Sequence, residues 1–207
     1  MELKQLKQNA KTYGVPIIRT ESHKILENKV AESKPVHILE IGMAIGYSGI
    51  TMLEASNADL VTIEHNKDYI KQAKKNFKMH GLSKRVKIIE GDCLVALANM
   101  ANSGKYNEHF DFVFLDGPKA QYENMLELIV MMLKPEGVFV ADNVLFRGYV
   151  EGENKPATKR YKTIIERLNR FIESCKNHKD LTDFELNAIE DGMIFAKKRG
   201  QNVKQKN

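Results

Sequence analysis

The sequence predicts an α/β fold: a seven-stranded, mostly parallel sheet with helices on both faces and a C-terminal antiparallel hairpin. Three observations lead there. Short runs rich in β-branched and aromatic residues recur along the chain, each almost continuously apolar, as strands buried on both faces must be. Between them lie stretches whose apolar residues fall three and four positions apart, the helical period. Near the end the alternation stops, and two strand-like runs follow each other across a short turn.

Composition sets bounds before the elements are placed. At 207 residues the chain fits one medium domain, and 43% apolar residues are ample for its core. No apolar run approaches the roughly 18 residues of a membrane span, so no membrane partner is expected. The opening "MELKQLKQNAKTYG" has no apolar h-region and does not read as a secretory signal. The two cysteines, Cys93 and Cys175, are far apart, which suits a reduced, cytoplasmic protein with both thiols in the core. Six scattered histidines show no ligand spacing, and none is assigned to a metal. The net charge of +5 is uneven: residues 1–154 carry 19 Lys/Arg against 20 Asp/Glu, and residues 155–207 carry 13 against 7. That basic quarter is either a polyanion-facing surface or a solvated helix face with a basic tail at 199–207.

The elements follow in order. Residues 1–34 form an N-terminal helical segment. "VHILEI" (36–41) is the first strand, too short for a helix; "DLVTIE" (59–64), "RVKIIEG" (85–91), "FDFVFLD" (110–116) and "GVFVAD" (137–142) repeat its type. After the first strand the next helix starts near Tyr47-Ser48. Asn66 is placed to cap a helix over 67–80 that shows Ile70, Ala73 and Phe77 on one face. Met125, Leu128, Ile129, Met132 and Leu133 form the stripe of a helix over 119–133, stopped by Pro135 and Gly137. Ile164, Leu168, Phe171, Ile172 and Cys175 do the same near 157–177; these positions are core. "TDFELNAI", "ED" and "GMIFAKKR" form the hairpin. One polar, Gly- and Pro-containing stretch, 147–158, fits no element and reads as an active-site loop.

The strand ends carry the chemistry. In "EIGMAIGYS" (40–48), Gly42 and Gly46 bracket a tight strand-to-helix turn, and the helix that follows offers free N–H groups to an anion. Glu64 closes the second strand 22 residues after Gly42, where an acid can accept from both ribose hydroxyls. Asp92, in "EGDC", stands at the same edge and can accept from an adenine amino group. GxGxxG is absent, so a diphosphate is poorly served, and an adenosine bearing an amino-acid tail fits better. Cofactor contacts are therefore expected from Glu40, Gly42, Gly46, Ser48, Glu64 and Asp92, with Asp116 beside them.

Taken together, "ILEIGMAIGYS", "TIEHN", "EGD", "FLDGPKAQY" and "ADNVLFRG" resemble the cation-dependent class I S-adenosylmethionine O-methyltransferases, which include catechol and caffeoyl-CoA O-methyltransferases. The resemblance runs over residues 12–198. It implies a Rossmann-like methyltransferase fold, S-adenosylmethionine as the methyl donor and a homodimer. At the adjacent strand ends Asp116, Asp142 and Asn143 make a hard-oxygen set suited to Mg²⁺ or Mn²⁺, and the resemblance gives these positions the same role. Asp and Asn are also common at caps and turns, which leaves that alternative open. Lys119 matches the family's general base, working beside Asp116; its ordinary pKa of about 10.4 would have to be lowered by burial or by the cation.

"DNVLFRGYV", with "GVPII" (14–18), looks like the bacterial branch that methylates 5-hydroxyuridine at the tRNA wobble position to 5-methoxyuridine. The physics agrees: its 5-hydroxyl and O4 are vicinal oxygens, and an anticodon loop can splay a base into a pocket. Arg147, Lys155, Lys159, Arg160 and Lys162 are then candidates for phosphate contacts. A small-molecule catechol-type enzyme is the first alternative, and a non-catalytic nucleotide-binding scaffold the second.

Overall fold

A computed structural model describes residues 3–12, 14–146, 148–150 and 158–200, without the side chains of Lys11 and Arg160. Two helices, α1 (Leu3–Thr12) and α2 (Thr20–Ser33), precede a run of β1 (His37–Ile41), α3 (Tyr47–Glu54), β2 (Asp59–Glu64), α4 (Lys67–Met79) and β3 (Val86–Glu90). Then come α5 (Cys93–Asn102), β4 (Phe110–Leu115), α6 (Tyr122–Met132), β5 (Leu133–Asp142) and α7 (Lys159–Asn177). The chain closes with β6 (Leu181–Asn187) and β7 (Met193–Lys198).

The seven strands lie in the order β3-β2-β1-β4-β5-β7-β6. β1 to β5 are parallel, while β7 runs antiparallel to both β5 and β6. The chain therefore starts in the middle, builds outward through β2 and β3, and returns to the other side of β1 with β4. That reversal opens a crevice beyond the C-terminal ends of β1 and β4, the place where open α/β sheets take ligands.

Strand alternation splits the core into two layers. Leu39, Ile41, Val113, Leu115, Phe139 and Ala141 face α5, α6 and α7 with Leu97, Met125, Ile129 and Phe171. Ile38, Phe112, Phe114 and Val140 face the other way, toward Leu26, Ile50 and Phe77. Local signals act as expected: Asn66 Oδ1 accepts from the Asp68 and Tyr69 N–H groups and caps α4. Among the described residues no helix is long and apolar enough to cross a membrane.

Four details depart from the sequence reading. The stretch beginning at 119 opens as a 3-10 turn, Lys119–Gln121, and becomes α-helical only at Tyr122. The fifth strand starts at Leu133 rather than 137, because Leu133 pairs with Phe110 before a register irregularity absorbs Lys134–Gly137. Helix α5, whose bounds the sequence reading does not give, runs from Cys93 to Asn102 with Asp92 as its N-cap. Arg199, placed in the basic tail, is tied back by its N–H to the Asp180 carbonyl at 2.8 Å. The loop reading of 147–158 falls mostly outside the described residues, with Arg147, Lys155 and the Arg160 side chain.

Candidate active site

A cavity of roughly 820 Å³ occupies the crevice. One end is lined by Met43, Ala44, Ser48, Glu64, His65, Tyr69, Asp92 and Cys93 from the turns after β1, β2 and β3. The other is lined by Asp116, Lys119, Gln121, Asn143 and Phe146 beyond β4 and β5. Pro16–Arg19 and Asp191 complete the wall.

At the first end Glu64 is held tightly. Its Oε2 accepts from the Ala44 N–H at 2.9 Å, and its Oε1 from the N–H groups of His65 and Asn66 at 2.9 and 2.8 Å. Three backbone donors thus fix this carboxylate at the cavity wall. Asp92 lines the same end while its Oδ1 accepts from Leu94 and Val95 N–H at 2.9 and 3.1 Å, so one oxygen is occupied by capping.

Glu40 and Gly46 stand off the cavity wall, where the sequence suggests ligand contacts, while Gly42 lines it. Glu40 is fully buried behind the turn, away from the cavity wall, and accepts from Ser48 Oγ at 2.5 Å and Thr62 Oγ1 at 2.6 Å. It braces β1, β2 and α3 from inside. Gly46, at φ +83, does not line the cavity; an added Cβ there would stand 3.0 Å from the Phe77 ring. Gly42 does line it, but its missing Cβ makes room for the Asp116 carbonyl.

The brace has a measurable consequence. Burial pushes the Glu40 carboxyl up to about 7, against hydrogen bonds from Ser48 and Thr62 that pull the other way. The folded protein then binds this proton more tightly than the unfolded chain. Its contribution to stability is complete below the ordinary value of 4.5 and is lost as pH rises through about 7. Glu40→Gln removes that titration. Between pH 5 and 8 the variant should lose less stability than the parent, by on the order of 2–3 kcal/mol. Urea denaturation across that range checks it; parallel profiles would contradict it.

At the second end the acids gather. Asp116 follows β4, and Lys119 Nζ lies 3.6 Å from its Oδ1. Asp142, the last residue of β5, is fully buried. Its Oδ1 accepts from the Asn143 N–H at 2.7 Å, and its Oδ2 has no hydrogen-bond partner. Burial, and the Asp116 charge beside it, push its carboxyl well above the usual carboxylate range. Asn143 follows at φ +59, in the left-handed region that Asn tolerates. Among the described residues no three His, Cys, Asp or Glu side chains form a ready metal cluster; the set here is two acids and an amide. A buried carboxylate oxygen with no donor, next to a second acid, is nonetheless what a hard divalent cation would satisfy.

Several contributors escaped sequence reasoning. The Tyr122 hydroxyl shares its one proton between the Asp142 and Leu115 carbonyls, at 3.2 and 3.4 Å, tying the ends of β5 and β4 together. The N-terminal wall is latched to the β6–β7 turn: Arg19 pairs with Asp191 at 2.9 Å, and Ser22 donates its N–H and Oγ to Glu190 at 2.9 and 2.8 Å. "DGPKAQY" shows Tyr122 as part of a motif, but its Asp142 partner lies 20 positions on, and Arg19 and Ser22 find theirs at the far end of the chain. Lys159 and Lys162 are exposed on the first turn of α7 and do not line the cavity.

Known proteins resemble the chain over most of its length. The O-methyltransferase family model matches residues 2–199. A catechol O-methyltransferase of Niastella koreensis is 31% identical over 191 residues, covering 88% of this chain and 83% of that protein. A caffeoyl-CoA O-methyltransferase of Stellaria longipes is 23% identical, covering 95% and 83%. The structure of a candidate caffeoyl-CoA O-methyltransferase from Staphylococcus aureus superposes with a TM-score of 0.84 at 27% identity, covering 96% of this chain and 92% of that one. An O-methyltransferase from Bacillus cereus in complex with SAH has the same fold, with a TM-score of 0.80 at 23% identity and coverage of 95% and 90%.

Proposed function

The chain belongs to the O-methyltransferase family, and from that premise we propose that it transfers the methyl group of S-adenosylmethionine to one hydroxyl of a vicinal-dioxygen acceptor, with help from Mg²⁺ or Mn²⁺. The observation that carries this is the cavity itself. It joins Glu64, Ser48 and Asp92 at one end to Asp116, Lys119 and Asn143 at the other, with the partnerless Asp142 oxygen at the end of β5.

Each residue then has a task. Glu64, fixed by three N–H groups, accepts from the ribose hydroxyls, and Asp92 uses its remaining oxygen on the adenine side. The N-terminus of α3 receives the amino-acid carboxylate. Asp116, Asp142 and Asn143 would hold the cation, which supplies positive charge against a developing oxyanion. Lys119 would take the acceptor's proton. Tyr122 keeps the two acid-bearing strand ends in register. Holding donor and acceptor together supplies much of the rate.

For the acceptor we take 5-hydroxyuridine at the wobble position of tRNA, methylated to 5-methoxyuridine. "DNVLFRGYV", the excess of positive charge in 155–207 and the exposed Lys159 and Lys162 support it. A small catechol is the second reading, favoured by the 31% identical relative of that name. Purified protein with labelled S-adenosylmethionine, offered tRNA containing 5-hydroxyuridine, unmodified tRNA and a catechol panel, separates them. Label should enter the first tRNA far faster than any catechol and should not enter unmodified tRNA, because unmodified uridine has no oxygen at C5, and binding should fall steeply with salt. Efficient labelling of catechols with none in tRNA would select the second reading.

A further inference from the structure

Two of the buried side-chain oxygens at this site lack a donor. Asp142 Oδ2 is accounted for by the proposed cation. The other, Gln121 Oε1, is buried, has no hydrogen-bond partner, and belongs to a residue of the cavity wall. An amide oxygen left unmatched in a protein interior is costly and needs a reason.

The backbone around Gln121 is fixed from several directions. Its N–H donates to the Pro118 carbonyl at 2.8 Å, closing the 3-10 turn that carries Lys119. Arg167 of α7 donates to the neighbouring Ala120 carbonyl at 2.8 Å. On the other side Tyr122 bridges the ends of β4 and β5. The backbone of Gln121 is therefore held at the cavity wall, two residues from Lys119 and five from Asp116, and no described residue supplies a donor to its oxygen.

We infer that Gln121 is a specificity-determining residue for the acceptor: its buried Oε1 accepts a hydrogen bond from the ring imide N–H of a 5-hydroxypyrimidine. This rests on the acceptor reading above. In such a ring the 5-hydroxyl and O4 are the vicinal oxygens, and the N3–H is the next group along the same edge. A catechol offers the oxygen pair with no N–H beyond it. A site that places an acceptor for an N–H discriminates against a ligand without one, because the protein oxygen is then left unpaired.

The test compares the parent with Gln121→Leu, which keeps the bulk and removes the acceptor. Both receive S-adenosylmethionine, Mn²⁺ and one of three acceptors: 5-hydroxyuridine, 3-methyl-5-hydroxyuridine or a catechol. The variant should lose about 10- to 100-fold in kcat/KM on 5-hydroxyuridine. Its loss on the catechol should be much smaller, and a cooperative urea transition shows that it is folded. The parent should prefer 5-hydroxyuridine to its N3-methyl form, and the variant should lose that preference. Mn²⁺ affinity by electron paramagnetic resonance and S-adenosylmethionine affinity by calorimetry should not change. Equal loss on all acceptors, no loss on 5-hydroxyuridine, or weakened binding of Mn²⁺ or methyl donor would each overturn the inference while the acceptor reading stands. A parent that methylates catechols and no 5-hydroxypyrimidine would overturn both.

Discussion

Asp142→Asn should lower turnover by at least about 1,000-fold and, in the same protein, raise the stability of the metal-stripped fold. The two effects have opposite signs if Asp142 serves the proposed cation, because its burial is then a cost to folding that the cation offsets. Asp142 is fully buried, repelled by Asp116, and leaves Oδ2 without a donor. Asn is nearly isosteric and keeps an oxygen for the Asn143 N–H, so the variant loses the buried charge and little else. Relieving an uncompensated buried charge is worth about 1–3 kcal/mol. Removing the same charge from a two-carboxylate set weakens a divalent cation severely, since hard cations depend on anionic oxygen. Calorimetry should show weakened Mn²⁺ binding with S-adenosylmethionine affinity retained, because Glu64 and Asp92 are untouched. EDTA should reduce the parent to the variant's activity, and added Mg²⁺ or Mn²⁺ should restore the parent alone. A variant that is less stable than the parent yet fully active would remove Asp142 from the proposed cation set.

The reach of sequence reasoning here follows the range of the interactions. Strand and helix periods, the Asn66 cap and the hairpin depend on neighbours within a few positions, and they are where the sequence puts them. The start of β5 depends on Leu133 finding Phe110, and no local pattern announces that. Glu40 reads as an acid beside a ligand turn. Only the stacking of β1, β2 and α3 shows that Ser48 and Thr62 consume both its oxygens.

The same limit applies to the site. Glu64, Asp92, Asp116 and Asn143 fall on one cavity because parallel strands bring their C-terminal ends to one edge, a rule the sequence pattern already invokes. The Arg19–Asp191 pair joins residues 172 positions apart and could not be anticipated. Gln121 was in view inside "DGPKAQY", yet its meaning is that its oxygen lacks a partner, which only the packed structure can show.

Gly42→Ala should be the most damaging substitution for the fold, at about 3–5 kcal/mol, and should weaken both ends of the site together. Gly42 sits at φ +97, where an L side chain is strained. An added Cβ would also overlap the Asp116 carbonyl oxygen and stand 2.7 Å from its carbon and 3.0 Å from Gly117 Cα. All three are backbone atoms, so no side chain can swing aside. The end of β1 would have to move off the end of β4, against the bonds from Asp116 N–H to the Ile41 carbonyl at 2.9 Å and from Gly42 N–H to the Ile63 carbonyl at 3.1 Å. Those bonds set the distance between the turn after β1 and Asp116. Gly104→Ala is the control: φ is +67 and nothing lies within 4 Å of the added Cβ, so it should cost only the conformational strain, about 1–2 kcal/mol. Urea denaturation of the two variants isolates the clash, and calorimetry should show S-adenosylmethionine and Mn²⁺ both binding more weakly to Gly42→Ala. If Gly42→Ala proved no less stable than Gly104→Ala, the close approach of β1 and β4 would not be what this position requires.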